Sequence, residues 1–156
     1  MLIVLEGCDG AGKTELATFL SKILKADIIH CSTHTPNDYN FFYDIIQAAK
    51  GKRNIIADRF CYGQFVYQQP KDRPLKDYNC TAEENLSMLE RAMLATRAKV
   101  IYVTAPAEVI KKRLAARGEE LINGLTVEEV LSHFDEVIHN SMLPWIVYNT
   151  GGERNV

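Results

Sequence analysis

The segment Gly7–Thr14 constrains the fold of this chain more than any other stretch of its sequence. It reads Gly-Cys-Asp-Gly-Ala-Gly-Lys-Thr, the pattern GxxxxGK followed by Ser or Thr, and it lies between the apolar run Leu2–Leu5 and a helix-patterned segment. The glycines allow a tight turn in which successive backbone N–H groups converge, and the following helix adds the positive end of its dipole. The pattern predicts a loop that binds nucleotide phosphates.

Two side chains of this loop have the functional groups that binding of ATP and Mg²⁺ requires. Lys13 supplies a mobile positive charge for the β- and γ-phosphates, and Thr14 offers a hydroxyl to Mg²⁺. We expect the ATP-binding residues to be Gly7, Asp9, Gly10, Ala11, Gly12, Lys13 and Thr14.

Asp58 and Arg59 follow a second apolar run and extend the predicted site. A carboxylate at the end of a buried strand is suited to holding Mg²⁺ together with Thr14. The planar guanidinium of Arg59 is suited to bidentate recognition of a phosphate.

Short apolar runs alternate with helix-patterned segments along the chain, which is typical of a parallel sheet built from βαβ units. The predicted strands are Leu2–Leu5, Asp27–His30, Asn54–Ala57, Val100–Thr104 and Trp145–Tyr148. Helices are predicted at about 13–24, 38–50, 82–97, 106–117 and 126–140, with a further helix after Arg59, and Thr81 and Thr126 are the expected caps of two of them. This order predicts an α/β protein: a three-layer α/β/α P-loop NTPase fold with a five-stranded parallel sheet.

The length and net charge of the chain limit the number of domains and the kinds of binding partner that it can have. The 156 residues suit a single domain spanning 1–156. Eighteen Lys and Arg against twenty Asp and Glu leave a net charge of −2, which argues against nucleic acid or an anionic membrane as the partner. The first apolar run is too short for a signal peptide or a membrane span, so a cytoplasmic location is expected. Oligomeric state, including a homodimer, is left open.

Three segments resemble the thymidylate kinase family. Glu6–Thr14 is similar to its EGxDGxGKT loop, and Asp58–Gln68 is similar to its DRYxxSxxAYQ segment. Ile101–Arg113, followed by Arg117-Gly118-Glu119, resembles the family's IYLDVPPEVALKR strand and helix and the RGE that opens its lid. This third segment also resembles deoxynucleoside kinases.

The resemblance implies roles for several further residues. Asp9 would orient the sugar of the phosphate acceptor, Tyr67 would lie against that sugar, and Gln64 would present its amide to the base, with Arg59 completing the acceptor site. For Tyr67, packing in the core is an equal alternative. The lid would span about 113–125, and Arg113 or Arg117, four residues apart on one helix face, would join Lys13 and Arg59 in stabilising the transferred phosphoryl group.

The chain differs from this family mainly in the segments that would bind the phosphate acceptor. Only about 27 residues separate the second strand from Asp58, and the preceding helices that normally carry a stacking phenylalanine and a base-reading arginine are missing. Gly63 stands where the family has serine. Phe41, Phe42 and Tyr43 are candidates for a stacking platform, although a core role is expected for at least two of them.

The resemblance thus implies a kinase that uses ATP and Mg²⁺ to phosphorylate a deoxynucleoside monophosphate such as dTMP. A deoxynucleoside kinase is the nearest alternative, and it would need Asp9, Asp38 or Asp58 as a base. An ATP-binding module without catalysis is the second alternative.

Overall fold

The computed structural model describes residues 1–31, 39–51, 53–68, 83–121 and 124–156. Within these ranges the strands are β1 (Leu2–Glu6), β2 (Asp27–His30), β3 (Ile55–Asp58), β4 (Lys99–Thr104) and β5 (Trp145–Asn149). The helices are α1 (Lys13–Leu24), α2 (Tyr39–Lys50), α3 (Cys61–Gln68), α4 (Glu83–Ala95), α5 (Ala107–Arg117) and α6 (Val127–Asn140).

The five strands form one sheet in the order β2-β3-β1-β4-β5, and every neighbouring pair is parallel. β1 therefore lies at the centre, with β3 on one side and β4 on the other. Because β1 is flanked by strands that come later in the chain, the segment after β1 emerges at a topological switch point, where α/β proteins bind ligands. The α/β fold and the five-stranded parallel sheet agree with the prediction.

Helices pack on both faces of the sheet. On one face a buried cluster joins residues of β1, β3 and β4 to α2, α3 and α4, and a second cluster joins Tyr102 to α5 and α6. On the other face α1 packs over β1, β2 and β3 around Ile3, Leu5 and Ile56. Phe42 is fully buried in the first cluster and Phe41 packs against it, as expected of two of the three candidate stacking residues.

Element boundaries differ from the predicted ones by one or two residues. β1 and β5 each extend by one residue, to Glu6 and Asn149. The predicted cap at Thr126 is confirmed as a capping box, in which Thr126 Oγ1 accepts from Glu129 N at 3.1 Å and Thr126 N donates to Glu129 Oε2 at 3.1 Å. Thr81, Asp38 and the irregular segment Gln68–Asn79 lie outside the described residues, except for Gln68 at the end of α3.

No helix in the described ranges is long and apolar enough to cross a membrane.

Candidate active site

The predicted site residues gather at the carboxyl ends of β1 and β3, which pair directly. The phosphate-binding loop connects β1 to α1, and Asp58 is the last residue of β3. A cleft of about 280 Å³ opens at this edge and is lined by Asp9, Gly10, Gly12, Lys13, Thr14, Glu15, His30, Cys31, Asp58, Arg59, Arg117 and Glu119. The tertiary structure therefore brings together residues from four separate parts of the chain: the loop with the start of α1, and the ends of β2, β3 and α5.

Two glycines shape the loop. Gly7 has φ +151°, and a Cβ at this position would lie 2.1 Å from the carbonyl oxygen of Val103 on the neighbouring β4. Gly12 caps the N-terminus of α1 with φ +105°, which is in the left-handed region. Only glycine, which has no Cβ, can lie this close to β4 at position 7. At positions 7 and 12, glycine also adopts a positive φ that other residues rarely adopt.

Lys13 is buried and its ammonium lies inside the loop. Nζ donates to the carbonyl oxygens of Gly7 at 2.7 Å and Cys8 at 2.9 Å. Burial lowers the pKa of Lys13, and the nearby carboxylate of Asp9 opposes that shift. Nζ of Lys13 thus lies against the carbonyl oxygens at the start of the loop.

Thr14 and Asp58 meet across the first turn of α1. Thr14 Oγ1 donates to Asp58 Oδ2 at 2.8 Å, and Nδ1 of His30 lies 2.9 Å from the same oxygen. Asp58 is 5% exposed, whereas His30 lines the open side of the cleft. Sequence reasoning did not assign His30 to this site, and its position at the end of β2, next to the end of β3, was the available signal.

The donor set at this point fits Mg²⁺. A hydroxyl oxygen and a carboxylate oxygen are hard ligands, and Mg²⁺ is typically bound by one or two protein oxygens together with substrate phosphates and waters. Thr14 and Asp58 would hold the ion beside the loop.

Arg59 turns back over the loop because of an unusual backbone conformation. Its φ is +68°, and its N–H donates to the carbonyl oxygen of Leu5 at 3.0 Å, which fixes the chain as it leaves β3. The guanidinium then forms an ion pair with Asp9, whose carboxylate is largely buried. A non-glycine residue in the left-handed region is strained, and such strain is concentrated at functional sites. The structure thus brings together Arg59 and Asp9, two of the residues predicted to bind the acceptor, and their acceptor-binding roles stay predictions.

Glu6 is a site residue that the sequence analysis did not single out. Its carboxylate is fully buried, accepts from Phe60 N at 3.0 Å and from Gly63 N, and so caps the N-terminus of α3. Burial raises the pKa of Glu6 to about 8, although the Phe60 N–H and the Lys13 charge both act to lower it. The sequence signal was a charged residue at the end of an apolar strand.

Gly63 provides the space that Glu6 needs. A Cβ on Gly63 would lie 3.1 Å from Glu6 Oε1. The glycine at the position where thymidylate kinases have serine thus allows the Glu6 carboxylate to approach the backbone of α3.

Tyr67 is built into the core below the loop. Its ring is 7% exposed and packs edge-on against Phe134 at 6.2 Å, and its hydroxyl accepts from Asp9 N at 3.1 Å. Burial raises its pKa well above the usual range. Gln64 is half-buried on the same helix. Neither residue lines the cleft, and the acceptor-binding roles of both stay predictions.

The two arginines of α5 are placed differently. Arg113 donates to Gly10 O at 3.1 Å, to Ala11 O at 3.3 Å and to Thr150 Oγ1 at 2.9 Å, so it ties the outside of the loop to the end of β5. Arg117, the last residue of α5, is exposed and lines the cleft. Of these two arginines Arg117 is the one that lines the cleft, and the lid role stays a prediction.

Comparison with known proteins places the chain in a family. No family model matches it. The SPbeta prophage-derived uncharacterized protein YorR of Bacillus subtilis (strain 168) is 36% identical over 152 residues, which cover 96% of this chain and 89% of YorR. The chain belongs to the YorR family. The crystal structure of Bacillus subtilis YorR in complex with phosphorylated GDP matches this YorR-family protein with a TM-score of 0.75 and 35% identity, covering 97% of this chain and 86% of that one.

More distant structures share the fold of this YorR-family protein. Deoxyadenosine kinase from M. mycoides with bound dATP matches with a TM-score of 0.58 and 20% identity, covering 96% of this chain and 91% of that one. Thymidylate kinase from Candida albicans matches with a TM-score of 0.54 and 16% identity, covering 97% and 84%. The protein therefore has the fold of nucleotide kinases.

Proposed function

We propose that this protein is a kinase that transfers the γ-phosphoryl group of ATP to a deoxynucleoside monophosphate. The observation that carries the proposal is the convergence of Lys13, Thr14, Asp58, Arg59 and Arg117 on one cleft at the switch point of the sheet. Phosphoryl transfer requires positive charge around the transferred group and oxygen ligands for a metal ion, and these side chains supply both.

In the proposed reaction an oxygen of the acceptor phosphate forms a bond to the γ-phosphorus while the bond from that phosphorus to the bridging oxygen of ADP breaks. The acceptor phosphate is already a nucleophile, so positioning and charge stabilisation suffice. Lys13 and the loop N–H groups bind the donor phosphates, and Arg59 lies between donor and acceptor. Arg117 closes over the transferred group. Thr14 and Asp58 would hold Mg²⁺, which would offset the charge of the phosphates.

Two relatives support a nucleotide substrate. YorR was crystallised with phosphorylated GDP, and deoxyadenosine kinase from M. mycoides was crystallised with dATP and with the products dCMP and dCDP. The acceptor panel should therefore include guanine and cytosine nucleotides as well as dTMP.

A deoxynucleoside kinase is the second candidate, and the fold that the chain shares with deoxyadenosine kinase from M. mycoides favours it. A hydroxyl acceptor must lose a proton, which calls for a base whose pKa lies near neutral. Of the bases considered from sequence, Asp9 is paired with Arg59, Asp58 is bound by Thr14 and His30, and Asp38 lies outside the described residues. Asp9 and Asp58 both line the cleft, so they are the candidate bases that a bound hydroxyl could reach.

The deciding experiment measures ADP release from ATP and Mg²⁺ with the four deoxynucleosides and their monophosphates as acceptors. Turnover with monophosphates, abolished by Lys13→Ala and by Arg59→Ala, is the expected result. Phosphorylation of nucleosides alone, abolished by Asp9→Asn or by Asp58→Asn, would transfer the assignment to the second candidate. ATP binding that depends on Lys13, with no turnover on any acceptor, would identify a binding module without catalysis.

The assignment of the lid arginine has its own test. Arg117→Ala should lower kcat by about 10²-fold or more with a smaller effect on KM for ATP, because its charge acts on the transition state. Lys112→Ala, which removes an exposed charge from the same helix, should leave kcat within about twofold of the wild type. Equal kcat values for the two variants would refute the role of Arg117.

A further inference from the structure

His30 is a cleft residue that the proposed reaction does not use. It ends β2, lines the cleft and has a side chain that is 60% exposed. Its register partner on the neighbouring strand is Asp58, so the two side chains lie on the same face of the sheet. This is the face covered by α1, since Leu5, which pairs with Asp58 on its other side, belongs to the cluster that packs on α1. The ends of β2 and β3 and the start of α1 thus meet at one point.

The contact between His30 and Asp58 fixes which ring nitrogen carries a proton. Nδ1 of His30 lies 2.9 Å from Oδ2 of Asp58. The same oxygen accepts from Thr14 Oγ1 at 2.8 Å, and a carboxylate that is ready to bind a cation can only accept hydrogen bonds. Nδ1 is therefore the donor, and the carboxylate is held from one side by β2 and from the other by the first turn of α1.

These hydrogen bonds also set the orientation of the Asp58 carboxylate. Among the described residues, the side chains that donate to it are those of Thr14 and His30, and both reach Oδ2. The backbone is fixed at the same place, because the carbonyl oxygen of Asp58 accepts from Cys31 N at 3.0 Å. An aspartate side chain can otherwise rotate about two bonds. The two donors select one orientation, in which Oδ1 stays available to a cation.

We propose that His30 is a positioning residue of the Mg²⁺ site, a role that rests on the ATP site of the proposed function. Its Nδ1–H group holds Asp58 in the orientation that binds the ion, and it raises the affinity for Mg²⁺–ATP through Asp58. Groups that are hydrogen-bonded to metal ligands commonly act in this way, and their loss costs about 10–100-fold in metal affinity or activity.

Direct binding of the ion by His30 does not fit the chemistry of the site. Mg²⁺ prefers oxygen ligands, whereas imidazole suits transition metals such as Zn²⁺ and Cu²⁺. The ring nitrogen that faces Asp58 carries a proton, so it has no lone pair for a metal ion. His30 therefore acts on the carboxylate, which is itself the suitable ligand.

The test measures the affinity of the purified full chain for ATP by isothermal titration, with excess Mg²⁺ and separately with EDTA, in the absence of a phosphate acceptor. His30→Leu removes the donor and should weaken binding of Mg²⁺–ATP by about tenfold. Binding of metal-free ATP by this variant should stay within about twofold of the wild type, because the phosphate-binding loop is unchanged. That result also shows that the variant is folded.

Two further variants give the rescue and the control. His30→Asn should bring the affinity for Mg²⁺–ATP back to within about threefold of the wild type, because its amide nitrogen takes the position of Nδ1 and can donate to Asp58. His139→Leu changes an exposed histidine of α6 and should bind Mg²⁺–ATP as the wild type does. A loss of equal size with and without Mg²⁺ in His30→Leu would overturn the proposal.

A double-mutant cycle shows whether His30 acts through Asp58. Asp58→Asn alone should weaken binding of Mg²⁺–ATP. Adding His30→Leu to it should cause no more than about a twofold further loss, because two residues in one hydrogen-bonded unit are not additive. Losses that multiply in the double variant would refute the action through Asp58.

Because no acceptor is present, these measurements separate the role of His30 from the kinase assignment. Coupling between His30 and Asp58 in a chain without turnover on any acceptor would keep the role of His30 and reject the kinase. Turnover on an acceptor, with equal Mg²⁺–ATP affinities for His30→Leu and the wild type, would keep the kinase and reject the role. A wild-type ATP affinity that does not depend on Mg²⁺ would also reject the role.

Discussion

Arg113 and Thr150 form a clamp that joins α5 and the end of β5 to the phosphate-binding loop. Arg113 Nη1 donates to Thr150 Oγ1 at 2.9 Å, and both side chains donate to the carbonyl oxygen of Ala11. The segment from Asn149 to Gly152, at the end of β5, thus contacts the loop backbone through Thr150. The clamp fixes the carbonyl oxygen of Ala11 in the loop.

The clamp predicts that Thr150→Val weakens nucleotide binding. The substitution keeps the shape of the side chain but removes the hydroxyl, leaving Ala11 O and Arg113 less well satisfied, so the affinity for ATP should fall by about tenfold. Isothermal titration with ATP measures the effect. Thr96→Val removes a half-buried hydroxyl at the end of α4 and should leave ATP affinity unchanged. Equal affinities for the two variants would contradict the clamp.

Gly63→Ala should destabilise the protein by about 1–2 kcal/mol, since the added Cβ would lie 3.1 Å from a buried carboxylate oxygen of Glu6 that cannot easily move. Chemical denaturation measures the free energy of unfolding. At Gly51 the nearest atom would be 3.6 Å from the new Cβ, so Gly51→Ala should change that free energy by no more than about 0.5 kcal/mol. A neutral Gly63→Ala would show that the contact with Glu6 is relaxed at little cost.

Glu6 should make the stability of the protein depend on pH. Its pKa is raised by burial from 4.5 to about 8 in the folded state, so between these values the folded protein binds more protons than the unfolded one. The contribution of Glu6 to stability is therefore present in full below pH 4.5 and is lost as pH rises through about 8. The free energy of unfolding of the wild type, measured relative to Glu6→Gln, should fall from pH 5 to pH 8.

The control for this prediction is Glu153→Gln, which alters an exposed carboxylate near the end of the chain. Its free energy of unfolding should follow the wild-type pH profile. Parallel profiles for the wild type and Glu6→Gln would show that Glu6 titrates normally in the folded state.

Asp58→Asn should raise the Mg²⁺ concentration needed for half-maximal ATP turnover by about tenfold or more. The amide keeps the size of the carboxylate but removes the negative charge, and Mg²⁺ favours charged oxygen ligands. A Mg²⁺ titration of the initial rate measures this change. Asp135→Asn, which removes a carboxylate paired with Arg154, should leave the Mg²⁺ requirement as it is in the wild type. An unchanged requirement in Asp58→Asn would remove Asp58 from the metal site.

The predictions that the structure confirms rest on sequence patterns among neighbouring residues. The strands, the helices and the Thr126 capping box follow from apolar periodicity and from cap residues, which act between neighbours in the chain. The phosphate-binding loop was predictable for the same reason, since its geometry depends on the glycines within it. The pairing of Thr14 with Asp58 could be anticipated because parallel strands end at the same edge of a sheet.

Features that join distant segments could not be deduced in this way. Glu6 contacts Gly63 across 57 positions, and Arg113 reaches Ala11 across 102. No local pattern distinguishes Arg113 from Arg117, because both lie on one face of α5 and only packing sets one against the loop and the other in the cleft.

The sequence by itself determined the phosphate-binding loop, the order of strands and helices and the residue types that can serve phosphoryl transfer. The tertiary structure alone decided which of those residues share a cleft and which carboxyl group is buried beside the loop. The reason is physical: loop and helix propensities act over a few residues, whereas burial, pKa shifts and side-chain partners depend on which segments the folded sheet brings together.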